Sequence, residues 1–266
     1  MKKDDKKNIL SIIVITLLVG SLVYGISVSS RSSSIKELPS IYVPGTYGTI
    51  NDFDDYFKIA RIEQDGILKI NIDENNNVVE SQKVSLKPSE IKNIVIAFSD
   101  ADDDIDSMLR QSKYLQTAFE YLEKKYNISN VNFIGHSNGP VALTSYFTQV
   151  KPIKYFNINK IVAIAAPYND ISYANANDTK DSDYLKAWKK NISGIPQNVQ
   201  LYNLYGNVNG GKNDTIVTLA TIKKSEQLYP KNNIHYKEFK GNENEVGHVQ
   251  LLVNKKVVNY AESLVR

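Results

Sequence analysis

The sequence predicts an α/β fold with a mostly parallel central sheet, and three features support this prediction. Short apolar runs rich in β-branched residues alternate with stretches whose apolar residues recur at helical spacing, the pattern of βα units. About 230 residues follow Leu38, enough for one sizeable domain with its own core. In residues 130–147 a buried strand leads directly into a helix through Gly135-x-Ser137-x-Gly139.

Residues 1–34 are predicted to be a module separate from the domain at residues 35–266. Lysines precede an apolar run at residues 9–28 that contains no charged residue and could cross a hydrocarbon core as a helix. The lysines predict that this end stays in the cytoplasm and that the domain is exported. The segment is either a retained single-pass membrane anchor or a signal peptide cut after Gly25 or Ser29, which would release a secreted protein.

The composition excludes several classes of partner. The formal net charge is only +3, and lysines and acids are interleaved, so no nucleic acid partner is expected. The chain has no cysteine and three histidines, which rules out a cysteine-based zinc site and disulfide bonds. We expect neither a metal nor an organic cofactor.

Each element follows from a local pattern. Strands are predicted at residues 40–43, 67–72, 78–84, 93–98, 130–134, 159–167, 198–206 and 233–239, the second and third as a hairpin. Helices are predicted at residues 53–60, 108–126, 141–147 and 249–264. The first helix is expected to take Asn51 or Asp52 as its N-cap. The polar segment at residues 178–190 is a candidate for part of a lid.

Five aspartates lie between residues 100 and 106. A calcium loop is one interpretation, but Ile105 stands where an EF-hand loop needs glycine and Gln111 where it needs glutamate. A capped, solvated loop is the favoured interpretation.

The sequence Gly135-x-Ser137-x-Gly139 predicts a nucleophile elbow. A sharp strand-to-helix turn forces strained backbone angles on its serine and brings neighbouring chain close, and the two glycines remove the resulting clash. Pro140 fits the first helical turn, where its missing N–H is no loss. The Ser137 hydroxyl should then stand at the rim of the sheet, with the N–H of Asn138 aimed at the same spot as an oxyanion donor.

A serine needs a base to accept its proton, and there are three candidates. His136 belongs to the elbow, and its side chain should point away from the hydroxyl. His235 lies within a predicted strand, where a structural role is the simpler interpretation. His248 follows the last strand in a glycine-containing loop, so we predict that His248 is the base.

The acid that orients this base is predicted to be Asp214. It follows the strand at residues 198–206 and completes the chain order Ser…Asp…His that is typical of α/β-hydrolases. Asp170 is the rival, since the acid can also follow the preceding strand. Glu243 and Glu245 are interpreted as parts of a solvated loop.

The turn after the first strand is the candidate for the second oxyanion donor. Small residues there would let the backbone approach a ligand closely. The N–H of Thr46 is the first candidate and that of Tyr47 the second, although an ordinary turn would look similar.

These motifs together resemble a known family, the bacterial α/β-hydrolases of unassigned function that are often labelled membrane-bound cell-surface hydrolases. The resemblance covers nearly the whole exported domain; it is carried by residues 43–49, 93–98, 125–126, 135–137, 166–169, 203–206, 213–214 and 247–248. It implies an α/β-hydrolase fold with helices on both faces of the sheet, and a triad at the serine, aspartate and histidine named above. The chain departs from the family at Pro44, Pro140 and Thr215, where histidine or glycine is usual.

The predicted function is that of an extracytoplasmic serine hydrolase, a carboxylesterase or lipase-like enzyme acting on small-molecule or lipid-like esters. The resemblance implies hydrolysis of carboxylic esters. One alternative is a catalytically weak surface binding or adhesion module that keeps the fold. Another is an amidase or acyltransferase, because the same triad serves all acyl transfer.

Overall fold

A computed structural model of the protein describes residues 37–81, 87–171 and 180–266. Leu38–Arg266 forms one compact unit. The predicted membrane segment at residues 9–28 lies outside the described residues. Within the described ranges, no helix combines the length and the apolar character needed to cross a membrane.

The centre of the domain is an eight-stranded sheet. Its strands are β1 Ser40–Val43, β2 Ile67–Ile72, β3 Val78–Glu80, β4 Asn93–Phe98, β5 Asn130–His136, β6 Asn157–Ile164, β7 Gln200–Val208 and β8 Ile234–Gly241. The strand order is β3-β2-β4-β1-β5-β6-β7-β8, and every pairing is parallel except that of β2 with β3. The predicted mostly parallel sheet is therefore confirmed.

Helices cover both faces of this sheet. They are α1 Asp54–Ala60, α2 Ile105–Tyr126, α3 Gly139–Gln149, α4 Asp183–Lys190, α5 Leu219–Lys223, α6 Glu243–Val246 and α7 Lys255–Val265. In β1, Ile41 and Val43 join the apolar cluster that contains α2 and α3, while Tyr42 between them joins the cluster of α1 and α7. Because successive side chains of a strand point to opposite faces, the central strands are buried on both sides.

The starts of two helices differ from the sequence-based expectation. Helix α1 begins after Phe53, which makes no side-chain cap; Asp52 instead accepts hydrogen bonds from the N–H and hydroxyl of Thr49, so the prediction of Asn51 or Asp52 as N-cap was wrong. Helix α2 begins at Ile105 rather than at 108. Asp104 caps it by accepting from two backbone N–H groups, so the end of the aspartate run opens a helix.

The helix predicted at residues 249–264 is divided into two elements in the structure. A 3-10 turn at Gln250–Leu252 precedes α7, and Asn254 accepts from the N–H groups of Lys256 and Val257 at the start of α7. An asparagine side chain in that position starts a new helix, whereas the apolar periodicity alone runs across it. Strand β6 likewise ends at Ile164, earlier than predicted, because Ala165 has a left-handed backbone with φ 56°.

Two further expectations touch residues outside the described ranges. Strand β3 ends at Glu80, and residues 82–84 of the predicted hairpin lie outside the described ranges. The segment proposed as part of a lid is described only from residue 180. There α4 packs Trp188 against α3, with the indole Nε1–H donating to Ser145 Oγ at 3.0 Å.

Candidate active site

Ser137 occupies a strained turn between β5 and α3. Its φ is 51°, in the left-handed region that is costly for a residue with a side chain. A Cβ on Gly135 would lie 2.7 Å from Pro140 Cδ, and one on Gly139 would lie 2.3 Å from the carbonyl oxygen of Val43. Such contacts leave room only for glycine at both positions, which is the physical basis of the G-x-S-x-G pattern.

The structure brings Ser137, His248 and Asp214 into one chain of hydrogen bonds. His248 Nε2 lies 2.9 Å from Ser137 Oγ, and His248 Nδ1 lies 2.8 Å from Asp214 Oδ2. Asp214 and His248 are buried, while Ser137 is half-buried at the wall of a cavity. A carboxylate beside Nδ1 accepts a hydrogen bond from Nδ1–H and so keeps the hydrogen on that nitrogen, which leaves the Nε2 lone pair facing the serine hydroxyl.

The backbone holds the Asp214 carboxylate in place. Its Oδ1 accepts from the N–H groups of Ile216 and Val217, at 3.0 and 2.6 Å. The N–H of His248 also donates to the carbonyl oxygen of Asp214 at 2.8 Å. Asp214 and His248 are thus joined through both side chain and main chain, so their relative position does not depend on a single contact.

The two alternative candidates, His235 as base and Asp170 as acid, do not take part in this chain of hydrogen bonds. His235 is exposed on β8, stacks on Tyr202 with a ring-centroid distance of 4.6 Å, and contacts Gln200 Oε1 at 3.2 Å. Asp170 lines the same cavity as Ser137, but the carboxylate that contacts His248 is that of Asp214.

His136 is buried beside the base. Its Nε2 lies 3.0 Å from the carbonyl oxygen of His248, and the two ring centroids are 4.7 Å apart. Since a carbonyl only accepts, this Nε2 carries a hydrogen. Burial, and secondarily the neighbouring His248, lower the pKa of His136 to about 4, so its ring is neutral near neutral pH. The sequence-based expectation was only that this side chain points away from the Ser137 hydroxyl. It did not predict the contact with His248, for which adjacency to the serine was the only available signal.

The two candidate oxyanion donors lie on facing segments. In the described chain, neither the N–H of Thr46 nor that of Asn138 donates to another protein group. The N–H of Tyr47, the second candidate, donates to the carbonyl oxygen of Ala101 at 2.7 Å and is therefore occupied. A side-chain contact that the sequence did not predict joins the first two, since Asn138 Nδ2 donates to Thr46 Oγ1 at 2.6 Å.

A cavity of about 850 Å³ opens above Ser137. Its lining includes carboxylates, from Asp52, Asp54, Asp55, Asp103 and Asp170, and apolar residues, among them Ile171, Ile216, Val217, Val249, Leu252 and Val253. Apart from Ile171, these apolar residues closely follow Asp214 or His248 in the chain, a proximity that could have predicted them. In the described part of the chain, no group of three or more His, Asp or Glu side chains is arranged to hold a metal.

A serine on a strand-to-helix elbow, at the edge of a mostly parallel sheet that helices cover on both faces, defines the class of α/β-hydrolases. The chain belongs to the α/β-hydrolase family of unknown function DUF915, whose model matches residues 27–265. The resemblance inferred from the sequence motifs is thereby confirmed.

Solved structures share this fold. A Lactobacillus plantarum protein named as a cell surface hydrolase is 23% identical with a TM-score of 0.70, over 86% of this chain and 92% of that one. A gene product of Listeria innocua is 20% identical with a TM-score of 0.67, over 84% and 92%. The mature form of a Bacillus licheniformis lipase is 12% identical with a TM-score of 0.55, over 87% and 93%. No curated protein matches the chain.

Proposed function

We propose that this α/β-hydrolase is a serine hydrolase that cleaves carboxylic esters, with Ser137 as nucleophile, His248 as general base and Asp214 as orienting acid. The observation that carries the proposal is the continuous chain of hydrogen bonds from Ser137 Oγ through the His248 ring to Asp214 Oδ2, at 2.9 and 2.8 Å. The same arrangement of nucleophile, base and acid serves acyl transfer on unrelated folds.

In the acylation step, His248 Nε2 accepts the hydroxyl proton while Ser137 Oγ attacks the acyl carbon. The imidazolium that forms keeps its Nδ1–H on Asp214, whose negative charge stabilises it. Collapse of the tetrahedral intermediate breaks the bond to the alcohol, and His248 returns the proton to the leaving oxygen. Water then attacks the acyl-enzyme with His248 again as base, which releases the acid and restores Ser137.

Two backbone N–H groups complete the site. Those of Thr46 and Asn138 are proposed to donate to the oxygen that becomes negative as the acyl carbon turns tetrahedral. Pro44 and Pro140, where the chain departs from its family, remove neither donor because both proposed donors belong to other residues.

We further propose that the enzyme acts outside the cytoplasm. The lysine-flanked apolar segment at residues 9–28 motivates this proposal, and the name of the Lactobacillus plantarum protein agrees with it. The site would then meet small or lipid-like esters at or near the cell surface.

Labelling of the purified full-length chain with a fluorophosphonate probe tests the proposal. We expect the wild type to label and the Ser137→Ala and His248→Ala variants not to label, with turnover of a neutral 4-nitrophenyl ester lost in parallel. An exposed-serine variant, Ser263→Ala, is the matched control and should label like the wild type. A folded wild type that neither labels nor turns over any ester or amide would contradict the proposal and favour a binding module.

A further inference from the structure

The two residues that flank the proposed oxyanion position are joined through their side chains. Asn138 Nδ2 donates to Thr46 Oγ1 at 2.6 Å, a contact between residues 92 positions apart. Asn138 is the N-cap residue of α3 at the elbow, whereas Thr46 lies in the turn after β1. The contact therefore fixes the position of the Thr46 hydroxyl as well as that of its backbone.

The Thr46 hydroxyl still has a hydrogen to donate. A hydroxyl that accepts from an amide N–H keeps its own O–H for another partner. Within the described ranges, that O–H has no acceptor in the protein. An O–H that is fixed in position and has no acceptor in the protein is available to donate a hydrogen bond to a ligand.

The position of Thr46 places this donor beside the nucleophile. Thr46, Ser137 and Asn138 line the same cavity. The backbone of Gly45, the residue before Thr46, lies close to the nucleophile, since a Cβ on Gly45 would lie 2.7 Å from Ser137 Cβ and 3.3 Å from Ser137 Oγ. The turn that carries Thr46 thus approaches Ser137 at the wall of the cavity that both residues line.

We propose that the Thr46 hydroxyl is a third oxyanion donor, oriented by the side-chain amide of Asn138. This inference rests on the proposed function. As Ser137 attacks, the carbonyl oxygen becomes an alkoxide, and the Thr46 O–H donates to it alongside the two backbone N–H groups. Thr46 is then catalytic through its side chain, and the Asn138 amide is a positioning group, because it acts through Thr46.

A hydroxyl donor serves this purpose only if it is held before the reaction. A free hydroxyl rotates and must reorganise when charge develops, whereas one whose oxygen already accepts an N–H loses less freedom. The alternative role for the same contact is structural, in which it only ties the turn after β1 to the elbow. Kinetics separate these two roles.

The Thr46→Val variant removes the hydroxyl and keeps both the shape and the backbone N–H. We expect kcat for a neutral 4-nitrophenyl ester to fall by on the order of 100-fold with KM changed less than about twofold, because a donor used only in the transition state affects kcat and kcat/KM alike. Thr46→Ser should recover most of the rate. Thr49→Val is the matched control: Thr49 lies in the same turn, donates to Asp52 at 2.8 Å, and should keep the wild-type kcat.

A second pair of variants tests the positioning role. Asn138→Leu removes the amide, and combining it with Thr46→Val should lower kcat little further than Thr46→Val alone, because the amide acts through the hydroxyl. Asn138→Asp should be worse than Asn138→Leu, since a carboxylate accepts the Thr46 O–H and withdraws it from the oxyanion. The comparison of Asn138→Asp with Asn138→Leu leaves Thr46 unchanged. It therefore tests whether the Thr46 hydroxyl donates to the oxyanion even if Thr46→Val does not fold.

The outcomes distinguish this inference from the proposed function. A wild type that labels with fluorophosphonate and hydrolyses esters, together with a Thr46→Val variant of unchanged kcat, overturns the third donor and leaves the triad standing. Equal losses in Thr46→Val and Thr49→Val would assign the contact to turn stability alone. A wild type without labelling or turnover overturns both proposals.

Discussion

At the scale of single residues, the choice of acid depends on how Asp214 is held. Its carboxylate accepts from three N–H groups: those of the Ile216 and Val217 backbones and the Nδ1 of His248. Only a carboxylate offers an acceptor oxygen to each side at once, because an amide replaces one oxygen with a donor. The role proposed for Asp214 therefore requires a carboxylate and not only a side chain of its shape.

Asp214→Asn should lower kcat by on the order of 10⁴-fold, because its NH₂ group would face either a backbone N–H or His248 Nδ1 and force the wrong imidazole tautomer. The measurement is kcat with a neutral ester, alongside far-UV circular dichroism to verify the fold. Asp170→Asn is the matched control and should change kcat by less than about tenfold. The reverse ranking of the two variants would identify Asp170 as the acid.

The second prediction at this scale concerns His136. Because its pKa falls from 6.5 to about 4 on folding, the unfolded chain binds an extra proton between these pH values. Stability therefore decreases as pH falls through this window, by about 3 kcal/mol in the free energy of unfolding. Two titratable groups near this ring also act on its pKa: His248 lowers it further, and Asp214 opposes the shift.

His136→Asn removes the titrating ring and keeps an N–H donor for the His248 carbonyl. We expect the loss of stability between near-neutral pH and pH near 4 to be smaller in the variant than in the wild type, as measured by urea unfolding. His235→Asn is the control, since His235 is exposed on β8. If both variants lost as much stability as the wild type on acidification, the attribution to His136 would be wrong.

At the scale of elements, the elbow depends on how closely α3 approaches β1. Gly139→Ala would place a Cβ 2.3 Å from a backbone oxygen of Val43, which cannot move without shifting the strand. We expect a loss of about 2–3 kcal/mol in the free energy of unfolding, typical of overpacking. Gly66→Ala is the matched control, because its Cβ meets nothing within 4 Å; it should leave stability equal or higher. Chemical denaturation of both variants checks this, and equal stabilities would show that the strand can yield.

The types of the strands and the longer helices were predictable from sequence, but several boundaries were not, and the short helices α5 and α6 lie where no helix was predicted. β1, β2 and β4 have the predicted limits because apolar runs end where burial ends. Helix starts depend instead on single side chains that accept N–H groups, as Asp104 and Asn254 do, and Asp52 shows that a good capping residue can bond elsewhere. The choice between such partners is made by tertiary structure, which a local pattern does not encode.

At the scale of the whole molecule, the sequence predicted that Ser137, Asp214 and His248 come together. It did not predict the contacts that neighbouring residues make around them. The chain order of Ser137, Asp214 and His248 follows from topology, since the ends of parallel strands converge on one edge of the sheet. The contact of Asn138 with Thr46, and that of His136 with the His248 carbonyl, join segments separated by 92 and 112 positions. No periodicity signals such contacts.

The lining of the cavity above Ser137 combines apolar residues with carboxylates. Ile216 and Val249, which line it, are 47% and 60% exposed, so apolar side chains of the lining face the solvent. The lining also carries aspartates, of which Asp54 is paired with Lys69. No lysine or arginine occurs among the described lining residues. We therefore expect the site to favour neutral esters with an apolar acyl group and to disfavour anionic ones.

Two substrates of similar size, 4-nitrophenyl butyrate and 4-nitrophenyl hemisuccinate, test this expectation. The anionic ester should have a kcat/KM about tenfold lower, because the lining aspartates repel its carboxylate. Added salt should reduce this difference in kcat/KM by screening the repulsion. A variant combining Asp103→Asn with Asp170→Asn should also reduce the difference in kcat/KM between the two esters. Glu243→Gln, which lies outside the cavity lining, should leave that difference unchanged. A difference in kcat/KM that does not depend on salt or on these aspartates would mean that the apolar lining residues alone select the substrate. Charge would then play no part in specificity, and the preference would follow the fit of the acyl chain.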